Sequence, residues 1–306
     1  MSGGSSSEDP HGVQPARWAV GPPAPKAIAW LARATSLAIL ILIGHWVHVT
    51  LGGVGLHPQP LPDGSGNDTG KLFNWHPILM TLGFAVFMVE ALLTYQAPLL
   101  ASLPRETRKR IHWGCHSAAI ICLALGLIAV LQSHRLKLPV PMPDWYSPHS
   151  YLGITALVLL ALQFVLGAYA YLWPRLSLPQ RMALGPLHRY LGAATWLAGL
   201  GAIATGLQEK ITFMQMSKVV TGAALYGPAV RVPAAVLVLL VVLAALVLYF
   251  QVPPPAKHAG AVAVGADGSG AGGGAASTQG LLRGGAPALP GDEVYEDEEA
   301  ARHRAY

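Results

Sequence analysis

Apolar residues in this chain do not fall at alternate positions or in short bursts. They form six long runs, at roughly 28 to 52, 76 to 98, 111 to 133, 149 to 173, 187 to 208 and 231 to 251. A helix needs about 20 mostly apolar residues to cross about 30 Å of hydrocarbon, and each run reaches that length. The second begins WHPILMTLGFAVFMVEALL, and the last, VPAAVLVLLVVLAALVLYF, has no ionisable side chain apart from Tyr249. No stretch of about ten residues alternates as a membrane strand would. The pattern predicts an all-α protein, a six-helix transmembrane bundle over 27–251, with both termini on one side because six is even.

Composition agrees with the pattern. Of 306 residues, 53% are hydrophobic and 11% charged, against about a quarter charged in soluble domains. The net charge of +5 is spread among loops, which suits a membrane surface rather than nucleic acid. Arg105, Arg108, Lys109 and Arg110 crowd the second connection, Arg175 and Arg181 lie in the fourth, and Arg17 and Lys26 precede the first run. By the positive-inside rule these segments face the cytosol. The first connection carries only Lys71 and includes NDT at Asn67, a glycosylation acceptor pattern that fits a non-cytosolic loop. Arg135, Lys137, Lys210 and Lys218 dilute this bias without reversing it. Residues 1–26 are polar and lack a signal-peptide core, so they read as a disordered cytosolic amino terminus. Residues 252–306, rich in Pro, Gly and Ala and then acidic at GDEVYEDEEA, read as a disordered cytosolic tail. The two cysteines, Cys115 and Cys122, provide no disulfide framework.

The histidines change the picture from anchor to chemistry. His76, His112, His149 and His188 open the second to fifth runs, two of them beside prolines and His188 two residues after Pro186, and proline is tolerated in a first helical turn. Each histidine is therefore expected in or near the first turn of its helix. Runs two and four cross in one direction, three and five in the other. His76 and His149 thus share one level, and His112 and His188 the opposite one. Ionisable residues inside a membrane are costly and mark function. Two facing imidazoles suit a low-spin haem iron. No Cys-x-x-Cys-His occurs, so haem would be non-covalent and b-type. Neither level offers a cysteine or carboxylate to complete a zinc site. Two irons near opposite faces would stand on the order of 20 Å apart, an electron path across the bilayer. His116 lies one turn beyond His112 on the same face, and either could reach iron.

The segments WHPILM, IHWGCH, YSPHSYLG, GPLHRYLG and GLQEKITF, in this order, resemble the core of the cytochrome b561 family from about residue 30 to 250. The resemblance implies ascorbate-dependent transmembrane electron transfer, six helices with a four-helix core (helices two to five), and two b haems. It implies haem ligation by His76 with His149 on the non-cytosolic side and by His112 with His188 on the cytosolic side. The family's basic residue three before the ligand, here Lys109, selects His112 over His116. Arg105, Lys109 and Arg181 match positions that bind cytosolic ascorbate. His134 and Tyr146 match positions near the non-cytosolic acceptor, monodehydroascorbate or a ferric chelate. Homodimers, and a plasma, vacuolar or endosomal membrane, are further implications.

Some residues depart from the family pattern. Gln96 stands where a cation often follows Tyr95, and Arg135 where asparagine often follows the equivalent of His134. His45 and His48 are additional, and Glu90, Glu209 and Lys210 carry no assigned chemistry. The rival from another class is a non-haem metal transporter or channel. It predicts intramembrane carboxylates and broken helices, and only Glu90 partly fits.

Overall fold

The computed structural model describes residues 26–95, 100 and 102–251. The tail 252–306, the amino-terminal segment up to residue 25 and Gln96 lie outside the described residues. Six helices are long and apolar enough to cross a membrane: Lys26–Val49, Gly70–Leu93, Arg105–Arg135, Pro148–Tyr171, Leu178–Met216 and Gly222–Tyr249. The protein is a multi-pass membrane protein of the six-helix class. We label Lys26–Val49 α1, Arg105–Arg135 α5, Pro148–Tyr171 α6, Leu178–Met216 α7 and Pro228–Tyr249 α8. The second span is composite: α2 (Gly70–Phe73), α3 (Trp75–Thr81), a π-helical turn (Leu82–Phe87) and α4 (Met88–Leu93).

The π turn has a local cause and a local remedy. An i→i+5 pattern leaves a carbonyl without its usual intrahelical donor. Here the indole N–H of the buried Trp196, on α7, donates to the Phe84 carbonyl at 2.9 Å. Gly199, one turn further on α7, lets the Phe84 ring close on that helix: a Cβ there would stand 2.2 Å from the ring. Gly83 plays the same part toward Leu123 of α5, at 2.7 Å. Small residues that admit close neighbours are the packing device of membrane helices, where lipid removes the hydrophobic drive between them. Phe84, Met88, Leu123, Leu160 and Trp196 form the buried centre. Around it α6 packs along α7, α5 along the second span, and α1 along α8. The Trp46 indole of α1 donates to the Ala229 carbonyl of α8 at 3.0 Å.

Helix starts differ from the sequence expectation. His149 does sit in a first turn, after Pro148 at the first helical position and with Ser147 accepting from the Ser150 amide at 3.2 Å. His112 and His188 do not: α5 begins at Arg105 and α7 at Leu178, so each lies two turns or more inside. His76 follows α2 within a span that starts at Gly70. The reason is that polar interfacial turns continue the helices beyond the hydrocarbon. A capping box of Ser177 with Gln180 starts α7, and Pro186 lies inside that helix rather than at its beginning.

The first connection is tied to the third. Strands β1 (Gln59–Pro60) and β2 (Asn67–Asp68) pair antiparallel. The Asn67 amide then donates to the Leu136 carbonyl at 2.7 Å and accepts from the Leu138 amide at 2.9 Å. Lys137 donates to the Asn67 carbonyl. Asn67 is 8% exposed. Its role here is a loop staple, not an accessible glycosylation acceptor, and the topological support drawn from it falls away. Expressed in a glycosylating host, the protein should keep its gel mobility after glycosidase treatment. Asn67→Ala should cost about 1–3 kcal/mol, the usual penalty of unpairing buried groups, read as a lower unfolding temperature in detergent.

Candidate functional site

Antiparallel spans bring the histidines to two ends of the bundle. At the first end, the rings of His76 and His149 face each other edge to face with centroids 6.0 Å apart. His76 Nδ1 donates to the Gly126 carbonyl of α5 at 3.1 Å, and His149 Nδ1 to the Ala202 carbonyl of α7 at 2.9 Å. A carbonyl can only accept, so each ring carries its proton on Nδ1 and leaves Nε2 as a lone-pair donor. This is the tautomer that metal-binding histidines require. Gly206 makes the pose possible: a Cβ there would stand 2.7 Å from His149 Cε1.

A cavity of about 340 Å³ opens beside this pair, with walls from His76, His149, Phe84, Leu127 and Ile203. Its mouth is polar. His134 Nδ1 donates to Asp144 at 2.8 Å, and Lys210 holds its ammonium 4.8 Å over the Phe73 ring. Phe73 in turn packs 5.8 Å from His76. Tyr146 and Lys137 complete the rim. His134 and Tyr146, expected together, do meet at this cavity.

At the second end, His112 Nδ1 donates to the Ala91 carbonyl of α4 at 2.8 Å. His116 packs edge to face on His112 with centroids 4.7 Å apart. Its Nδ1 is buried without a hydrogen-bond partner among the described residues. His188 lies close enough to feel the charge of both His112 and His116. Gly167 of α6 gives it room, since a Cβ there would stand 3.0 Å from His188 Cε1. Gln163 contacts its Nδ1. Two tyrosines flank the group, Tyr95 at 5.5 Å from the His112 ring and Tyr171 at 5.5 Å from the His188 ring.

The cations at this end are not a uniform cluster. Lys109 pairs with Glu106 at 3.0 Å. Arg105 is the first, exposed residue of α5, and Lys109 follows one turn later on the same face. Arg181 lies in the first turns of α7, and its carbonyl accepts from the Tyr171 hydroxyl at 3.3 Å. Arg108, read from the sequence only as one of the cations that set topology, stacks 5.8 Å above Tyr95 and donates to its carbonyl at 3.4 Å. A cation thus covers Tyr95 from the neighbouring helix. Desolvation pushes the Tyr95 hydroxyl above its ordinary range, against the pull of Arg105 and Arg108, and keeps it a neutral phenol.

Sequence reasoning also missed the partner of Glu90. Arg33 of α1 grips it in a two-pronged ion pair, Nε to Oε1 at 2.7 Å and Nη2 to Oε2 at 2.9 Å. Their side chains are 17% and 33% exposed. Fork-to-fork geometry is the strong form of this contact, and it joins the residue next to Ala91 to the first helix. His45 and His48 are exposed on α1 and join neither group. Among the described residues no cluster of three or more His, Cys, Asp or Glu is arranged for a metal ion.

The donor set fits haem on three observations. The 6.0 Å between the ring centroids of His76 and His149 is close to the span of two metal–nitrogen bonds of about 2 Å each with the distance from each nitrogen to its ring centre added. The adjoining cavity is walled mostly by apolar side chains. At the other end a buried imidazole nitrogen, Nδ1 of His116, has no protein partner among the described residues. The ends are well separated: along α5, His112 to Gly126 is a rise of about 21 Å at 1.5 Å per residue.

Residues 75–214 match the family described as eukaryotic cytochrome b561. The chain is 38% identical to the plasma membrane ascorbate-dependent reductase CYBRD1 of Xenopus laevis over 152 residues, 49% of this chain and 53% of that relative. It is 36% identical to the lysosomal membrane ascorbate-dependent ferrireductase CYB561A3 of Mus musculus over 162 residues, 53% of this chain and 66% of the relative. It is 30% identical to the transmembrane ascorbate ferrireductase 2 of Arabidopsis thaliana over 194 residues, 63% and 78% respectively. The match thus spans about half the length of the frog protein. The second to fifth spans, apart from their outermost residues, and both histidine groups fall inside the matched region, and this chain belongs to the cytochrome b561 family.

Proposed function

We propose that this protein carries electrons across a membrane, from cytosolic ascorbate to monodehydroascorbate or a ferric chelate on the other side. The observation that carries the reading is that His76 and His149 face each other 6.0 Å apart at one end of a four-helix core, while His112, His116 and His188 gather at the other. His76 with His149 would hold one b haem and His112 with His188 the other. Bound there, the two haems supply one-electron redox centres at two depths.

The chain's own residues do the remaining work. The Gly126, Ala91 and Ala202 carbonyls fix three ligand rings and raise their basicity. Arg105, Lys109 and Arg181 place positive charge at the His112–His188 end, which by the positive-inside rule faces the cytosol, and concentrate the ascorbate anion there. At the opposite mouth His134, oriented by Asp144, offers Nε2 to an incoming acceptor, with Tyr146 beside it. Relatives named for the plasma membrane and the lysosomal membrane support a plasma or vacuolar/endosomal membrane, and the positive-inside bias supports both termini in the cytosol. A homodimer is the expected assembly.

The test is a proteoliposome loaded with ascorbate and offered a ferric chelate or monodehydroascorbate outside. External reduction that depends on the protein is the predicted outcome, and a rate equal to that of protein-free vesicles would reject the function. In the same assay Lys109→Ala combined with Arg181→Ala should raise the ascorbate KM about tenfold, the loss of roughly 1.4 kcal/mol of charged hydrogen bonding. The maximal rate should change little.

A further inference from the structure

The carbonyls that accept from the ligand candidates are not equally secure. Gly126 lies well inside α5 and Ala202 well inside α7, where the helix itself fixes them. Ala91, which accepts from His112 Nδ1 at 2.8 Å, lies in the last turn of α4, Met88–Leu93. A helix leaves its final carbonyls without intrahelical donors, and its ends fray. Among the described residues the one backbone donor to the Ala91 carbonyl is the Thr94 amide, at 3.4 Å. The turn is held from outside instead. Arg33 of α1 closes both prongs of its guanidinium on Glu90, the residue before Ala91, at 2.7 and 2.9 Å. The Thr94 hydroxyl donates to the Glu90 carbonyl at 2.7 Å. Trp30, one turn before Arg33, lies 5.7 Å from the guanidinium. A partly buried ion pair adds little net stability, because desolvation offsets attraction; what this one supplies is a fixed position. Arg33 itself lies outside the family match at 75–214.

We propose that the Arg33–Glu90 pair is a positioning strut for His112. It pins the last turn of α4 so that the Ala91 carbonyl holds the imidazole in one direction, and it makes helix one, outside the four-helix core, part of the cytosolic-side haem site. The proposal rests on the bis-histidine haem reading above. The hydrogen-bond partner of a ligand's second nitrogen sets its orientation and basicity. With the turn loosened, His112 Nδ1–H loses its fixed acceptor, and the ring becomes a weaker and less directed donor to iron. The His76–His149 end has no such dependence, since both of its acceptors are mid-helix.

The experiment uses the full-length protein purified with its haem in detergent. The double variant Arg33→Met with Glu90→Leu removes both charges together, which keeps the net charge and spares the fold an unpaired buried ion. Arg33→Lys keeps the charge but not the fork. Haem content after gel filtration, electron paramagnetic resonance and potentiometric titration are the readouts, and the cytosolic-side haem is the one that His112→Ala loses. In the double variant that haem should be retained about tenfold less tightly, the lower end of what loss of an outer-shell partner costs. Its resonance signature should change and its potential rise, because a less basic ligand favours the ferric state less. The other haem, unmoved, reports that the bundle is folded. Arg33→Lys should shift the same signature by less. Should the double variant fail to fold, Arg33→Lys alone decides. The proposal is overturned if both haems keep their signatures and potentials, which makes the pair a plain structural contact, or if both move alike. A parent protein without a haem pair, or a His112→Ala protein that keeps both, would instead remove the reading on which the proposal stands.

Discussion

Replacing His112 by alanine is expected to remove one haem of two and to cut ascorbate-driven transmembrane reduction by more than about 100-fold. Losing only an outer-shell partner of a metal ligand costs 10–100-fold, and losing the ligand itself should exceed that. His116→Ala should retain both haems, with a modest change in the spectrum. The contrast follows from the hydrogen bonds. His112 is locked by its Nδ1–H to the Ala91 carbonyl at 2.8 Å, so its Nε2 has a defined direction. The His116 ring packs edge to face on His112, and among the described residues its Nδ1 has no hydrogen-bond partner to fix a direction. Haem content per chain, measured on the two variants after purification, decides between them. Two haems in His112→Ala and one in His116→Ala would reverse the assignment.

The second large effect needs no change to any histidine. Gly206→Ala would press a methyl group to 2.7 Å from His149 Cε1 and 3.0 Å from its Nδ1, closer than packed atoms sit. Either the ring turns and breaks its bond to the Ala202 carbonyl, or α6 and α7 separate. Both outcomes should empty the site opposite the cytosolic one. The expected result is one haem per chain and loss of external ferric reduction, with reduction of the remaining haem by ascorbate preserved. Gly167→Ala is the milder counterpart at the other end, since its methyl group would meet His188 at 3.0 Å. A Gly206→Ala protein with two haems and ordinary turnover would show that His149 can be held elsewhere.

The sequence revealed the six spans because hydrocarbon thickness imposes one long apolar run per crossing, and it revealed the two levels of histidine because direction alternates from span to span. It misjudged where helices begin: interfacial turns such as RETRKR and LPQRMALG are polar yet helical, and Pro186 sits within α7 rather than at its start. It could not show Arg33 gripping Glu90, although an arginine among apolar residues signals the need for a buried partner. Asp144, Tyr95 and Tyr171 were illegible for a different reason. Each reaches its histidine through the packing of separate helices or the fold of a loop, and no spacing in the chain encodes that. Asn67 shows the opposite error. A tripeptide with an established local meaning is here used by the fold, its amide consumed by Leu136 and Leu138.

Electron transfer through this bundle requires imidazoles that meet as two couples near its opposite faces. Quantifying haem in the purified full-length protein, with its absorption recorded before and after ascorbate, tests this most directly. The prediction is two haems per chain, both low-spin with two histidine ligands, and both reduced at least in part by ascorbate. A single haem, a high-spin five-coordinate spectrum, or no b-type band at all would contradict it.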